Sequence, residues 1–190
     1  MNAIEMLRNR RAAITAGLDG LIADTDGLDL GRPVMPGTSP LGLTLWHIPR
    51  TQDWLVNTCL RDVEEVAGRF GAGLPDPERF GFGTGLAPDD AQRAAAAVTR
   101  GRLRDYAAAV GHEVDAWLAT LDEAALDVVP PFQQRQAARA AYTTPGALEA
   151  IDGLDGLSVG MLLLRPGLAH LLRHLGEIET LSQLARAPGS

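Results

Sequence analysis

Residues 157–186, LSVGMLLLRPGLAHLLRHLGEIETLSQLAR, decide how this chain is read. Met161, Leu164, Leu168, Leu171, Leu175 and Ile178 recur at alternating steps of three and four, the spacing that lays one apolar stripe along a helix. Beside it runs a second stripe of Leu163, Gly167, His170, His174, Glu177 and Leu181, apolar at both ends and polar in the middle. His170 and His174 are two of only four histidines, and a four-residue spacing puts both imidazoles on one helix face. Two nitrogen donors and a carboxylate at the edge of a core suggest a metal. Pro166, four residues before His170, has no N–H for the Leu162 carbonyl and is expected to kink the helix ahead of the histidines.

Outward from that stretch, the composition narrows the class. A chain of 190 residues with 46% hydrophobic content can bury a sizeable core, and a single domain over residues 1–190 is expected. Cys59 is the only cysteine, which leaves no intramolecular disulfide and no thiolate zinc knuckle. The N-terminal stretch alternates charged and apolar residues, and no run approaches the ~18 apolar residues that span a bilayer, so a soluble cytoplasmic protein without membrane partners is expected. A net charge of −7 without a basic cluster argues against nucleic acid. All 17 basic residues are arginine, and without a lysine there is no Schiff base, no P-loop lysine and no pyridoxal phosphate chemistry.

Read in order, the chain gives four helical segments and no strand. The first covers residues 2–23, with Ile4, Leu7, Arg11, Ile14, Leu18 and Leu21 inward. The second runs over residues 40–68 behind Thr38 or Ser39 as cap and Pro40. Its core line is Leu41, Leu45, Ile48, Gln52, Leu55, Cys59 and Val63, and beside that line lie Thr44, His47, Thr51, Trp54 and Thr58. Pro49 should loosen it just after His47. Residues 69–87 carry seven glycines and prolines, a long crossover rather than a hairpin. A third helix is expected over residues 88–121, with Leu103, Tyr106, Val110, Val114, Trp117 and Leu121 inward. Residues 122–156 hold a short helix over 133–142 and otherwise an irregular cover for one end of the bundle. The fold class is therefore all-α: four helices with two long connections, the plan of a four-helix bundle whose metal sites are built on facing helices.

Two patterns are decoys at this level. Residues 156–160 spell G-x-S-x-G, but a nucleophile elbow needs a preceding strand, so Ser158 reads as the cap of the last helix. Gly81, Gly83 and Gly85 follow no strand and do not make a dinucleotide fingerprint. His112 lies off the apolar line of its helix and reads as solvated, and Cys59 as core filler.

A histidine following an apolar residue early in the second helix (LGLTLWHI) and a late H-x-x-x-H followed by Gly and an acid (HLLRHLGEI) resemble the DinB-like superfamily over essentially the whole chain. The resemblance implies a four-helix bundle, often a homodimer, with His47, His170 and His174 as ligands of a divalent metal. Its members include mycothiol and bacillithiol S-transferases and mycothiol-dependent maleylpyruvate isomerase. The reaction expected on this resemblance is a metal-dependent thiol S-transfer or thiol-dependent isomerisation of a small molecule, with mycothiol as the cosubstrate suggested by the lysine-free, GC-rich composition. The alternatives are a non-catalytic bundle that binds a metal or small ligand, and a structural homodimer.

The donor types agree with this outline. Three neutral imidazoles leave a fourth position on a metal open for water or substrate, and they suit zinc, nickel, iron and copper alike. Glu177, one turn beyond His174, is a candidate to orient a ligand, to serve as a weak fourth ligand or to act as a catalytic base. Arg50 and Arg173, near the histidines in sequence, are candidate clamps for an anionic substrate, and Trp54 a candidate wall of its cavity.

Overall fold

The computed structural model describes residues 2–187, and among them every regular element is a helix. The first helix, α1 (Ala3–Asp24), is closed at its start by a reciprocal capping box between Asn2 and Glu5. It buries Ile4, Leu7, Arg11, Ile14, Leu18 and Ile22, so the inward line ends on Ile22 rather than the expected Leu21. The second, α2 (Leu41–Asp53), continues without a break into a π-helical stretch, Trp54–Arg61. Asp62, in the left-handed region at φ 57°, ends it. The expected continuation to residue 68 therefore fails, and Val63 is exposed. Every residue from Leu41 to Leu60 is buried, polar ones included. α2 is thus the central helix, covered on all sides, and Pro49 is absorbed within it.

Two short helices, α3 (Pro77–Phe80) and α4 (Pro88–Ala96), precede α5 (Arg100–Leu118). The single third helix expected from the alanine-rich run is two helices with a corner at residues 97–99. There Thr99 donates its N–H to the Gly73 carbonyl at 2.9 Å, and α4 turns to cross α2. The crossing is close enough that a Cβ on Gly42 would stand 2.7 Å from the Ala95 carbonyl oxygen. Leu103, Tyr106, Val110 and Val114 point inward as expected, but Leu118 takes the place of Trp117 and Leu121, which are only partly buried.

Residues 122–156 are more regular than the sequence suggested. They contain α6 (Phe132–Ala137) and α7 (Pro145–Ala150), the latter capped by the Thr144 hydroxyl and started by Pro145. The last segment is α8 (Val159–Leu164), a π turn (Arg165–Ala169) and α9 (His170–Arg186), with Ser158 capping α8 as read. Pro166 cannot return an N–H to Leu162, and the helix answers by widening at that turn. The extra residue shifts the phase of everything before it. Leu162 and Leu163 are buried, whereas Met161 and Leu164, the expected inward pair, are exposed.

The long helices pack in the cyclic order α1, α5, α2, α9, each against the next and α9 against α1. Their apolar side chains form one core. No helix among the described residues is long and apolar enough to cross a membrane.

Candidate metal centre

His47 comes from the buried length of α2, and His170 and His174 from the first two turns of α9, which packs directly against it. One nitrogen of each lies within 4.8 Å of the others. His170 Nε2 is 2.9 Å from His47 Nε2 and 3.2 Å from His174 Nε2. The three rings stand nearly perpendicular to one another, with interplanar angles of 82°, 86° and 88°. Tetrahedral ligands about 2.0–2.1 Å from a zinc ion are roughly 3.3 Å apart. The two separations at His170 thus lie within a few tenths of an ångström of that spacing.

What holds each ring from behind determines which nitrogen is free. His47 donates Nδ1–H to the Phe82 carbonyl at 2.5 Å, and His174 donates Nδ1–H to Glu177 Oε2 at 2.8 Å. Both Nε2 atoms therefore offer lone pairs to the centre, the arrangement usual for ligating histidines. His170 differs: its Nδ1 accepts from an Arg173 guanidinium nitrogen at 3.1 Å, so the proton of the neutral ring sits on Nε2. That one proton lies between the lone pairs of His47 and His174.

Burial above all, and then the neighbouring His174, lowers the His47 pKa to about 3, and the same causes with Arg173 lower that of His170 to about 4. Both are neutral at pH 7, the state that can bind a metal. The hydrogen bond from His174 holds the Glu177 carboxyl below its ordinary range.

The loop at residues 81–85, set aside in the sequence as a glycine-rich decoy, builds the back of the centre. Gly81, Gly83 and Gly85 all have positive φ, which leaves Phe82 and Thr84 facing the histidines. Side chains one turn apart on α2 grip successive carbonyls of this loop: His47 that of Phe82, and Arg50 Nε that of Gly81 at 3.1 Å. Arg50 is therefore not a clamp for substrate. Fully buried, it pairs with Glu65 at 2.6 Å, bonds the Tyr142 hydroxyl and lies 3.8 Å from Asp53. Asp53 in turn accepts from Tyr106 and from the N–H groups of Val66 and Ala67. Burial pulls the Arg50 pKa down, but Tyr106 and Glu65 more than offset it and the group stays charged.

Two cavities flank the histidines. One, of about 220 Å³, is bounded by Trp54, Phe82, Ile151, Leu154 and Pro166, with His47 and His170 on one side. Trp54 thus stands in its wall, stacked on Phe82 with centroids 4.4 Å apart. The other, of about 240 Å³, shares His47, Thr84 and His170 with the first and adds Thr44, Arg173, His174 and Glu177. Thr84 and Arg165 were not singled out in the sequence; Thr84 was foreshadowed only by its place between two glycines. His112 is exposed and Cys59 fully buried, its thiol pushed up by burial.

Fold and site together define an all-helical bundle carrying a three-histidine cluster able to hold a metal ion. No family model and no curated protein matches the chain. Among solved structures, the crystal structure of a conserved protein from Enterococcus faecalis covers 97% of this chain and 98% of its own, with a TM-score of 0.69 at 15% identity, a likeness of fold alone.

Proposed function

We propose that the chain is a divalent-metal-dependent enzyme of DinB-like type, acting as a low-molecular-weight-thiol S-transferase or thiol-dependent isomerase. The observation that carries this reading is the convergence of His47, His170 and His174 Nε2 with two of the three rings fixed from behind. A zinc, nickel or iron ion held by three imidazoles would keep a position open to a thiol or water and lower its pKa. The chain's own residues supply the rest. Phe82 and Glu177 fix ring orientation and tautomer, and α2, buried on all sides, excludes bulk water from His47. The two cavities, both lined by His47 and His170, would give a thiol such as mycothiol and its electrophile separate approaches to the centre. Glu177, whose carboxylate already carries the His174 hydrogen bond, is the acceptor best placed to take a proton in the second cavity.

The test is metal content by elemental mass spectrometry on untagged protein, beside His47→Ala, His170→Ala and His174→Ala. About one metal per chain, lost in all three variants, is expected, followed by thiol turnover with candidate electrophiles. No metal after reconstitution with zinc, nickel or iron would defeat the reading. Stoichiometric metal inert to every thiol and electrophile would favour a binding bundle instead.

A further inference from the structure

The cavity beside His170 has an apolar wall of Trp54, Phe82, Ile151 and Leu154 and a cation at its edge. Arg165, the first residue of the π turn, lines the same cavity. Of the arginines beside the histidines it differs from Arg173, whose guanidinium is occupied by His170, and from Arg50, which is locked to Glu65 and the Gly81 carbonyl. Among the described residues, no carboxylate or carbonyl bonds Arg165. In a chain of net charge −7, where most arginines of the fold have acidic partners, Arg165 stands exposed and without an acid at the edge of this cavity.

We infer that this cavity is a binding site for a small monocarboxylate with an apolar body, its carboxylate on Arg165 and its hydrocarbon against Trp54, Phe82, Ile151 and Leu154, reaching toward His170. Arginine suits a carboxylate because its planar donors match the two oxygens. At the ~30 Å³ that one water occupies, the space takes about seven or eight non-hydrogen atoms, the size of hexanoate. The inference supplies a substrate class for the metal-centre reading and rests on it for function, but the binding itself does not need the metal.

The experiment exploits that separation. Hexanoate, hexan-1-ol and hexylamine are titrated into chelator-treated protein and into zinc-loaded protein, with affinity read by calorimetry and by chemical-shift changes of the Trp54 indole resonance. Hexanoate is expected to bind metal-free protein at least about tenfold more tightly than either analogue. Arg165→Gln should abolish that preference, Arg165→Lys should restore part of it, and Leu154→Trp, which fills the chamber, should remove all three ligands. Failure of hexanoate to bind metal-free protein, or binding indifferent to Arg165→Gln, would overturn the assignment. A negative metal analysis would overturn the catalytic reading while leaving this result standing.

Discussion

A guanidinium nitrogen of Arg173 lies 3.1 Å from His170 Nδ1, and because arginine can only donate, it fixes the ring in the tautomer that turns its lone pair away from the centre. Metal binding must move that proton and displace the arginine. Arg173→Met should therefore raise zinc affinity by about threefold to tenfold, the worth of one net hydrogen bond. Chelator competition measures it; an unchanged or weaker affinity would mean that the contact does not oppose the metal.

Glu177 acts in the opposite sense. By accepting from His174 Nδ1 it presents Nε2 to the centre, so Glu177→Gln should weaken zinc binding and Glu177→Ala should weaken it further, by about tenfold to a hundredfold. If both variants hold zinc as the parent does, the carboxylate is free for another duty.

The depressed His47 and His170 pKa values make the metal-free protein sensitive to acid. Between pH about 6.5 and about 4, imidazoles of the unfolded chain take up protons while the folded ones do not. The stabilisation is full above the unfolded pKa and falls as pH drops through this window, by up to about 1.4 kcal/mol per pH unit for His47. Urea midpoints of chelator-treated protein from pH 7 to 5 should decline with a shallower slope in His47→Gln than in the parent.

Arg50→Met tests the link between the buried ion cluster and the site. Glu65 would be left without its buried cation, at a cost of about 3–5 kcal/mol, and the Gly81 carbonyl would lose its donor. Denaturant midpoint and metal affinity should fall together; loss of stability with undiminished affinity would show that the loop at residues 81–85 holds its shape unaided.

Gly85 and Gly146 bring the loop and α7 into backbone contact: a Cβ on Gly85 would lie 2.4 Å from Gly146 Cα, at a φ of +68°. Gly85→Ala should destabilise the fold by about 1–3 kcal/mol. It should also loosen Thr84 and Phe82, so that zinc affinity falls as well, both effects being read from one set of samples.

Much of this was legible in the sequence because α1, α5 and α9 each have one wet face, and an apolar stripe records which side is inward. The cap at Ser158 and the three histidines were readable for the same local reasons. α2 was harder, since a helix buried on every side has no wet face to set its phase or mark its end, and its π-helical exit has no simple signature. Arg50 was misread because charge on a helix next to a ligand suggests substrate, whereas its partners, Glu65 and Tyr142, lie 15 and 92 residues away. The glycines at 81, 83 and 85 were judged by the motif they failed to match. Their positive φ angles, and the carbonyls these expose to His47 and Arg50, emerge only in three dimensions.

The widened turn at Arg165–Ala169 amounts to one residue inserted into an otherwise regular helix. Cutting that residue out would let the chain resume about 3.6 residues per turn and would rotate His170 and His174 by roughly 100° relative to Val159–Leu164. The imidazoles would then face away from His47 with no ligand altered. Chain length at this turn is thus as much a determinant of the centre as its histidines, and a single gap there, when a relative is set beside this sequence, would mark a bundle that has lost the means to gather them.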